Sequence, residues 1–323
     1  MTGATGFVGS AVARALAARG HRLRLLARAG SDRANLAGLA AEVVTGDLTD
    51  PASLVRAAAG CRFVLHVAAD YRIWVPDPAA MLRANVDGTV ALLRAAAGAE
   101  RIVYCSSVAA LGLTEDGSPA DETTPVDPAR IVGTYKRSKY LAEQAVRALA
   151  AQGTPAVIVN PAAPVGPRDR RPTPTGRMVL DAAAGRTPAY VDTGLNLVHV
   201  DDVALGHVLA LERGVPGEAY ILGGENLSLR AILALVAATA GRAPPRVRLP
   251  IAPLWPMAWV AEAWARMSGR EPRLTRDSLR MARKRMFFSS AKAIGALGYA
   301  PRPAAAAVAD AVAWFRAAGM LHA

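Results

Sequence analysis

Tyr135 and Lys139 lie four residues apart in the stretch YKRSK and are the first candidates for chemistry in this chain. The pattern over 133–152 is amphipathic and predicts a helix, so side chains at i and i+4 emerge on one face, a turn apart. An ammonium beside a phenol favours the phenolate and is expected to lower the tyrosine pKa from its reference value of about 10. Tyr135 is therefore expected to give or take a proton near neutral pH.

Two serines, Ser106 and Ser107, follow the strand-like run 101–105. Open α/β sheets place their chemistry at the carboxyl ends of the strands, and these hydroxyls would lie there. A Tyr-x-x-x-Lys pair occurs often by chance, but here it follows a strand-end serine pair and a glycine-rich turn. The lysine itself is also informative, because only four of the 38 basic residues are lysines and its position favours a compact ammonium.

Three glycines near the start, Gly3, Gly6 and Gly9, stand in the stretch TGATGFVG. A helical pattern over 10–20 and a strand-like run over 21–28 follow them. Glycines at this spacing allow a tight strand-to-helix turn, a close approach of the backbone to a pyrophosphate, and an anion site at the helix N-terminus. The sequence therefore predicts dinucleotide binding, with a purely structural turn as the alternative.

The first strand of such a fold is missing before the glycine turn, where only Met1 precedes the motif. That strand normally lies in the middle of the sheet, and without it the two neighbouring strands would lose a partner. We therefore expect that the natural chain starts upstream of residue 1 and that its start codon has been assigned late.

The end of the second strand favours NADP(H) as the cofactor, with NAD(H) as the alternative. NAD-preferring sites usually carry an acid there for the ribose 2′-hydroxyl, whereas an arginine suits a 2′-phosphate. Residues 26–31 contain no acid, and Arg28, Ser31 and Arg33 stand in this region. Asp47, after the third strand-like run, is either an adenine ligand or an Asx-turn residue.

The composition predicts an ample buried core, because 52% of the 323 residues are apolar, and no apolar run has the length of a membrane span. The net charge of +12 comes from arginines spread over the chain without an aromatic-interleaved basic module, which argues against nucleic-acid binding. A basic surface would still attract phosphates or anionic lipid. Cys61 and Cys105 are predicted to be buried apolar residues, which fits a reducing cytoplasm.

In order along the chain, TGATGFVG, GDL, HVAAD, YCSS, YKRSK and NPAAPVGP resemble the motifs of extended short-chain dehydrogenase/reductases of the NAD-dependent epimerase/dehydratase family. The similarity covers essentially the whole chain. Longer stretches, such as HVAADYRIW and YKRSKYLAEQAV, are similar to a subgroup called hopanoid-associated sugar epimerase, whose members are also described as dihydroflavonol-4-reductase-like. The resemblance implies an α/β fold, with a Rossmann-type doubly wound parallel sheet and a smaller C-terminal α/β substrate lobe.

The resemblance also implies a role for each matching position. The catalytic residues would be Ser107, which hydrogen-bonds the substrate oxygen, Tyr135 as the acid or base, and Lys139, which holds the nicotinamide ribose. The residues implied to bind the cofactor are Gly3, Gly6, Phe7, Val8, Gly9, Arg28, Arg33, Asp47, Leu48, Ala68, Ala69, Ser106, Tyr135, Lys139, Asn160 and Pro161. No metal is implied. Family members commonly form dimers, and helices over 77–97 and 133–152 would form the interface.

The chain is expected to divide into a Rossmann domain over 1–165, with a return segment over 192–215, and a substrate lobe over 166–191 and 216–323. A helix over 252–267 with three tryptophans is expected to pack in the core of the lobe. A lining for a lipid pocket and contact with a membrane surface are the alternatives for this helix.

Two features bear on the substrate. Arg168, Arg170 and Arg171 in a proline-rich loop either meet an anionic group or are solvated. Members that act on nucleotide sugars commonly carry Arg-Asp shortly before a His-Val-Asp-Asp motif, and this chain has Asn196-Leu197 there. That departure resembles the steroid and flavonoid reductase branch and argues against a nucleotide-sugar substrate.

These observations predict an NAD(P)-dependent oxidoreductase or epimerase that moves a hydride to or from a secondary alcohol or ketone carbon, once in net reduction or twice in epimerisation. The subgroup resemblance implies a sugar-derived or polyol side chain in the biosynthesis of hopanoids, which are triterpenoid lipids. A dihydroflavonol- or steroid-type NADPH ketone reductase is one alternative, and a non-catalytic dinucleotide sensor is another. The expected setting is a cytoplasmic homodimer with a small or lipid-linked substrate and peripheral contact with a membrane.

Overall fold

The computed structural model describes residues 1–72, 75, 77–268, 272 and 274–321. Ile73 and Trp74 of one resembling stretch, and positions 269–271, 273, 322 and 323 of the predicted lobe, lie outside these ranges. Within them, the strands are β1 (Leu23–Ala27), β2 (Ala41–Thr45), β3 (Phe63–His66), β4 (Arg101–Cys105), β5 (Ala156–Pro161), β6 (Ala163–Val165), β7 (Ala189–Tyr190), β8 (Gly194–His199), β9 (Ala219–Leu222), β10 (Glu225–Ser228), β11 (Val247–Arg248) and β12 (Arg285–Met286). The helices are α1 (Phe7–Ala18), α2 (Pro51–Ala58), α3 (Pro78–Leu82), α4 (Gly88–Ala95), α5 (Thr134–Ala151), α6 (Pro174–Ala183), α7 (Val200–Arg213), α8 (Leu229–Ala240), α9 (Leu254–Ser268), α10 (Arg276–Ala282), α11 (Ala291–Leu297) and α12 (Ala304–Ala317).

The large sheet is parallel, so the carboxyl ends of its strands share one edge. Its strands run in the order β3–β4–β5–β9, and β1 and β2 form a further parallel pair. Thr2 lies between the two parts, with parallel bridges to Leu26 of β1 and His66 of β3. The strand order is that of a doubly wound fold, and Thr2 stands where the resemblance expects the first strand.

Helices cover both faces of this sheet, as the continuous apolar runs of its strands require. On one face, α1 and α7 pack around side chains such as Val12 and Val103, which are completely buried. On the other face, α2, α4 and α5 pack around Leu54 and Ile102, which are equally buried. The uncovered carboxyl edge is therefore the place where polar side chains can gather.

A second, smaller sheet forms the core of the lobe together with α6, α8 and α12. Its order is β10–β8–β12, and β6 also pairs with β8. Two strands differ from the predicted division. β8 belongs to the small sheet although it lies in the predicted return segment, and β9 pairs with β5 in the large sheet although it lies in the predicted lobe. Strand pairing depends on partners far apart in sequence, so the local pattern could not assign either strand.

The helix expected over 77–97 is present but contains a π-helical segment, Arg83–Asp87, between α3 and α4. Such bulges inside helices are frequent at functional sites. Here the bulge includes Asn85, whose side chain is buried. Its amide binds both backbone groups of Asp70 and donates to Ser138 Oγ at 2.9 Å, which ties the loop after β3 to α5.

The expectation that the tryptophan-rich helix packs in the lobe core is wrong for much of its surface. In α9, Trp259 and Trp264 are 58% and 64% exposed, whereas the small residues Ala258 and Ala265 are buried. The usual rule turns the apolar face of a helix inward, whereas here the side that carries Glu262 faces the protein, so the pattern predicted the wrong orientation.

Candidate functional site

The glycine turn has the geometry of a backbone cradle at the start of α1. Gly3 has φ +78°, and a Cβ added there would lie 2.6 Å from the backbone nitrogen of Ala68. A Cβ on Gly9 would lie 2.0 Å from the carbonyl oxygen of Gly3. A Cβ on Gly6 would meet only the Gly3 oxygen, at 3.3 Å, so the space beside Gly6 is open. Gly3 and Gly9 are thus required by the fold, whereas Gly6 leaves room for a ligand.

The N-terminus of α1 faces this open space. Gly6 is its N-cap residue and supplies no side chain to cap the helix. The Phe7 side chain is buried in the core and Val8 packs against it, so only their backbone N–H groups are available there. Free N–H groups and the positive end of the helix dipole form a site for a phosphate. These residues therefore fit the pyrophosphate of a dinucleotide.

The two glycines should respond differently to alanine. We expect Gly6→Ala to leave the free energy of unfolding nearly unchanged and to weaken dinucleotide binding by about tenfold or more, because its methyl group occupies the open space. We expect Gly9→Ala to destabilise the fold by about 1–3 kcal/mol through overpacking. Urea unfolding and fluorescence titration with NAD(P)H measure the two effects, and Gly98→Ala, which meets no atom within 4 Å, is the control. Equal loss of stability in both variants would contradict this assignment.

The predicted adenine and ribose side of the site lies at the ends of β1 and β2. Arg28, directly after β1, is exposed, and its charge contributes to the lowered pKa of the carboxyls of Asp47 and Asp70. Arg33 is exposed at the start of a short 3-10 turn. Asp47 Oδ1 accepts hydrogen bonds from the backbone and side chain of Thr49, at 2.8 and 2.7 Å. The Asx turn anticipated from the sequence is therefore present.

Residues after β2 and β3 close this side of the site. Leu48 is partly buried, and a Cβ on Gly88 of α4 would lie 2.8 Å from its Cβ. Ala68 and Ala69 are partly buried after β3, and the Ala68 N–H donates to Thr2 Oγ1 at 3.1 Å. Their small side chains leave the space beside the glycine turn unobstructed.

His66 is a structural residue. It is completely buried at the end of β3, between the hydroxyls of Thr2 at 2.8 Å and Thr89 at 2.9 Å. Burial, with a smaller effect from the Lys139 charge, lowers its pKa to about 3. The ring is therefore neutral at physiological pH and holds the sheet to α4.

Ser107, Tyr135 and Lys139 meet at the carboxyl end of β4. Ser107 caps a short 3-10 turn by accepting from the Ala109 N–H at 3.1 Å, and its side chain lies near enough to the Tyr135 phenol to influence the pKa of that phenol. Lys139 Nζ donates to the carbonyl oxygen of Cys105 at 2.7 Å and to the hydroxyl of Tyr104 at 3.3 Å. The ammonium therefore lies beside the strand end rather than on the phenol.

The expectation of a lowered tyrosine pKa is wrong for the protein without a dinucleotide. Burial raises the pKa of Tyr135 to about 12, and the hydrogen bond from Ser107 only partly opposes this increase. Burial also lowers the pKa of Lys139. Helical spacing predicted that the two side chains share a face, but the direction of the ammonium depends on the carbonyl of Cys105, which only the fold brings near.

A buried carboxylate, Glu143, connects Ser106 to Asn160. Its Oε2 atom accepts hydrogen bonds from Ser106 Oγ at 2.6 Å and from Asn160 Nδ2 at 2.7 Å. Its Oε1 atom accepts from the Arg147 guanidinium at 2.8 Å. The same Asn160 nitrogen donates to the Ser107 carbonyl oxygen at 3.1 Å. One carboxylate therefore fixes the serine pair and the end of β5.

Glu143 was not among the residues predicted from the sequence, although its spacing could have indicated it. It continues the i, i+4 series of Tyr135 and Lys139 along α5, on the face that is buried. Asn160 is completely buried, and its Oδ1 atom has no hydrogen bond within the part of the chain that the structure describes. Pro161, also buried, ends β5 beside it. An unpaired buried acceptor at this edge is suited to a donor from a ligand.

The positions that bear on the substrate have structural partners. Arg168 forms an ion pair with Asp201, and Arg170 lies 3.8 Å from Asp32. Asn196 is buried, and its amide binds the backbone of Gly224, the side chain of Asn226 and the backbone of Phe288. Asn196 thus joins three segments of the lobe and has no capacity left for a diphosphate.

A cavity of about 700 Å³ opens beside the tyrosine and serine. Its walls come from the segment after Ser107, the segment before Tyr135, and the region from the end of α10 to Phe288. Lys136, next to the tyrosine, is on its wall, and burial together with the charge of Lys284 lowers the pKa of that amine to about 8. The lining mixes apolar and polar groups, which suits a large ligand with a polar end.

Two kinds of feature are absent from the residues that the structure describes. They contain no group of three or more His, Cys, Asp or Glu side chains that could hold a metal ion. None of their helices combines the length and apolar character needed to cross a bilayer.

A Rossmann-type sheet, a glycine cradle, and a serine, tyrosine and lysine at one sheet edge define an oxidoreductase of the short-chain dehydrogenase/reductase class. The model of the NAD dependent epimerase/dehydratase family matches residues 1–223. The chain belongs to this family, whose members act as NAD(P)-dependent oxidoreductases and epimerases.

The similarity to known proteins extends over nearly the whole chain. A Synechocystis sp. protein with the provisional name dihydroflavonol 4-reductase is 44% identical over 98% of this chain and 94% of its own. Sterol demethylase protein B of Methylococcus capsulatus is 37% identical over 99% of both chains. The protein in the crystal structure of gox2253 is 61% identical in sequence to this chain. The two structures superpose with a TM-score of 0.90 over 99% of this chain and 98% of that one.

A solved structure also bears on the cofactor. The UDP-glucose 4-epimerase of Thermus thermophilus, in complex with NAD, is 26% identical, with a TM-score of 0.77 over 98% of both chains. The fold of this chain therefore matches that of a protein solved with NAD.

Proposed function

We propose that this protein transfers a hydride between a nicotinamide dinucleotide and the carbon of a secondary alcohol or ketone. The observation that carries the proposal is the proximity of the Ser107 and Tyr135 side chains, beside a large cavity and on the same sheet edge as the glycine cradle. The dinucleotide would supply or accept the hydride at C4 of its nicotinamide ring. In reduction, Tyr135 protonates the developing alkoxide and Ser107 donates a hydrogen bond to it.

The other residues hold the cofactor and the catalytic groups in place. Lys139 binds the nicotinamide ribose, and Glu143 positions Ser106 and Asn160 at the edge where the nicotinamide would lie. The proposed cofactor-binding residues are those expected from the sequence: Gly3, Gly6, Phe7, Val8, Gly9, Arg28, Arg33, Asp47, Leu48, Ala68, Ala69, Ser106, Tyr135, Lys139, Asn160 and Pro161. The exposed Arg28 and Arg33 favour NADP(H), because a guanidinium matches a 2′-phosphate.

The proposed net reaction is reduction of a ketone on a large apolar substrate. Asn196 is occupied by contacts within the lobe, which argues against a nucleotide-sugar diphosphate at that position. The names of the Synechocystis and Methylococcus relatives also point to polycyclic substrates. The substrate we propose is a sugar-derived or polyol side chain on a triterpenoid of the hopanoid type. A flavonoid- or steroid-type ketone is the first alternative, and a dinucleotide sensor without catalysis is the second.

Epimerisation is the second candidate reaction, and the family model favours it. An epimerase would run the same hydride step twice and return the hydride to the other face of the carbon. It would therefore retain its dinucleotide between turnovers, whereas a reductase would exchange it.

Retention of the nucleotide distinguishes the two reactions. We expect the purified protein to carry no tightly bound NAD and to take up NADPH in preference to NADH, because net reduction requires exchange of the cofactor. Mass spectrometry of the denatured preparation identifies a retained nucleotide, and fluorescence titration compares the two reduced cofactors. Stoichiometric NAD that survives dialysis would instead establish epimerisation.

We also propose a cellular compartment and an oligomeric state for the protein. The thiols of Cys61 and Cys105 are free, which is compatible with a reducing cytoplasm. The proposed homodimer would form through the α3–α4 region and α5, which pack side by side, with Leu141 of α5 partly exposed.

A further inference from the structure

The outward face of α9 is apolar although it is exposed. Met257, Val260, Trp264 and Met267 are 60%, 70%, 64% and 82% exposed. At 3.6 residues per turn these four positions fall within about 80° of the helix circumference, so they form one stripe along the helix. None of the four belongs to the three hydrophobic cores of the described residues.

The polar side of α9 faces the protein. Glu262 is 5% exposed and forms an ion pair with Arg276, with its two oxygens accepting from Arg276 Nε at 2.8 Å and from the Arg276 backbone at 2.7 Å. A helix at a water-facing surface normally has the opposite arrangement, with charges outside and apolar residues inside. The inverted arrangement indicates that the outer stripe faces a medium less polar than water.

Cationic side chains contact other tryptophans of the same helix, Trp255 and Trp259. The Arg276 guanidinium lies 4.1 Å from the ring centre of Trp259, and that of Arg283 lies 5.4 Å from the ring centre of Trp255. Arg283 and Lys284 are both exposed, and neither has an acidic partner among the residues that the structure describes. The surface therefore combines tryptophan and aliphatic groups with unpaired positive charge.

We propose that the α9 surface docks the protein on a membrane rich in anionic lipid. The stripe of Met257, Val260, Trp264 and Met267 enters the boundary between headgroups and acyl chains, and the flanking cations contact lipid phosphates. A second copy of this chain fits less well, because the acids of α9 and α10, Glu262 and Asp277, are already paired with Arg276 and Arg280 and offer no free partner to the cations of another copy.

The docking surface is continuous with the cavity beside the tyrosine. Lys284, which follows Arg283 in the chain, lines that cavity, together with Met281 at the end of α10 and Met286. Docking through α9 would therefore bring one wall of the cavity to the membrane surface, where an apolar substrate is concentrated. This inference concerns location and does not depend on the proposed chemistry.

Vesicle co-sedimentation tests the proposal on the full chain. We expect the protein to sediment with vesicles that contain one third phosphatidylglycerol, to bind phosphatidylcholine vesicles more weakly, and to be released in part by salt. The double variant Val260→Asp/Trp264→Asp should reduce partitioning by about tenfold or more, because it loses two apolar anchors. The control Val55→Asp/Ile294→Asp, which changes two exposed apolar residues elsewhere, should partition within about twofold of the wild type.

Three results would overturn the proposal. Wild-type protein that stays in the supernatant with both vesicle types would do so, as would equal partitioning of the α9 variant and its control. A wild-type dimer that dissociates in Val260→Asp/Trp264→Asp during analytical ultracentrifugation would assign the surface to a second copy instead. Thermal melting of both variants shows that they are folded, and turnover of a water-soluble ketone is expected to stay unchanged in both.

Discussion

We expect Tyr135→Phe to lower kcat/KM for ketone reduction by a factor of about 10³, while the dissociation constant for the dinucleotide changes less than about twofold. The phenol is the group that can protonate the alkoxide, because it lies near Ser107, and residues next to both of them in the chain, Val108 and Lys136, line the cavity. Phenylalanine retains the ring and its packing but has no proton to give. Steady-state kinetics and a fluorescence titration with NADPH measure the two quantities.

Tyr140→Phe is the matched control, because Tyr140 lies on the same helix, five residues further on. Removal of the Tyr140 hydroxyl should leave turnover unchanged.

The pH dependence of turnover gives a second test of the role of Tyr135. A pKa of about 12 keeps the Tyr135 phenol protonated through neutral pH, so reduction should be insensitive to its ionisation between about pH 6 and 9. Alcohol oxidation needs the phenolate and should rise by about tenfold per pH unit over the same range. Full activity in Tyr135→Phe would exclude the proposed proton transfer and favour a dinucleotide sensor.

The second large effect concerns stability. We expect Glu143→Ala to lower the free energy of unfolding by about 3 kcal/mol. Removal of this carboxylate leaves the buried Ser106 hydroxyl without its acceptor and takes one of two acceptors from the buried Asn160 amide. It also leaves Arg147, whose side chain is 35% exposed, without its ion partner. Urea denaturation, followed by circular dichroism, measures the change.

Glu100→Ala provides the comparison for this variant. Glu100 also pairs with an arginine, Arg62, at 2.7 Å, but both side chains are more than half exposed, at 57% and 70%. An exposed ion pair contributes little, so its loss should leave stability unchanged within error. Glu143→Gln should recover part of the loss, because the amide oxygen can still accept a hydrogen bond. Equal stability of the Glu143 and Glu100 variants would contradict the view that the network supports the fold.

The sequence by itself determined the elements and the identity of the main candidates. Strand-like runs, glycine spacing and helical periodicity are local properties, so β1, β4, α1 and α5 are found where their patterns predicted them. The position of Ser107 at a strand end and the shared face of Tyr135 and Lys139 follow from the same local rules. For Asp47 the sequence left two roles open, an adenine ligand and an Asx turn, and the structure shows the turn.

Tertiary structure decided what depends on partners distant in the chain. It directed the Lys139 ammonium to the carbonyl of Cys105, raised the pKa of Tyr135 by burial, and brought Glu143 together with Ser106. It also assigned β8 and β9 to different sheets than expected and turned the apolar face of α9 outward. The physical reason is common to all of these. Burial, hydrogen-bond partners and strand pairing are set by the surroundings of a residue, and those surroundings exist only once the chain has folded.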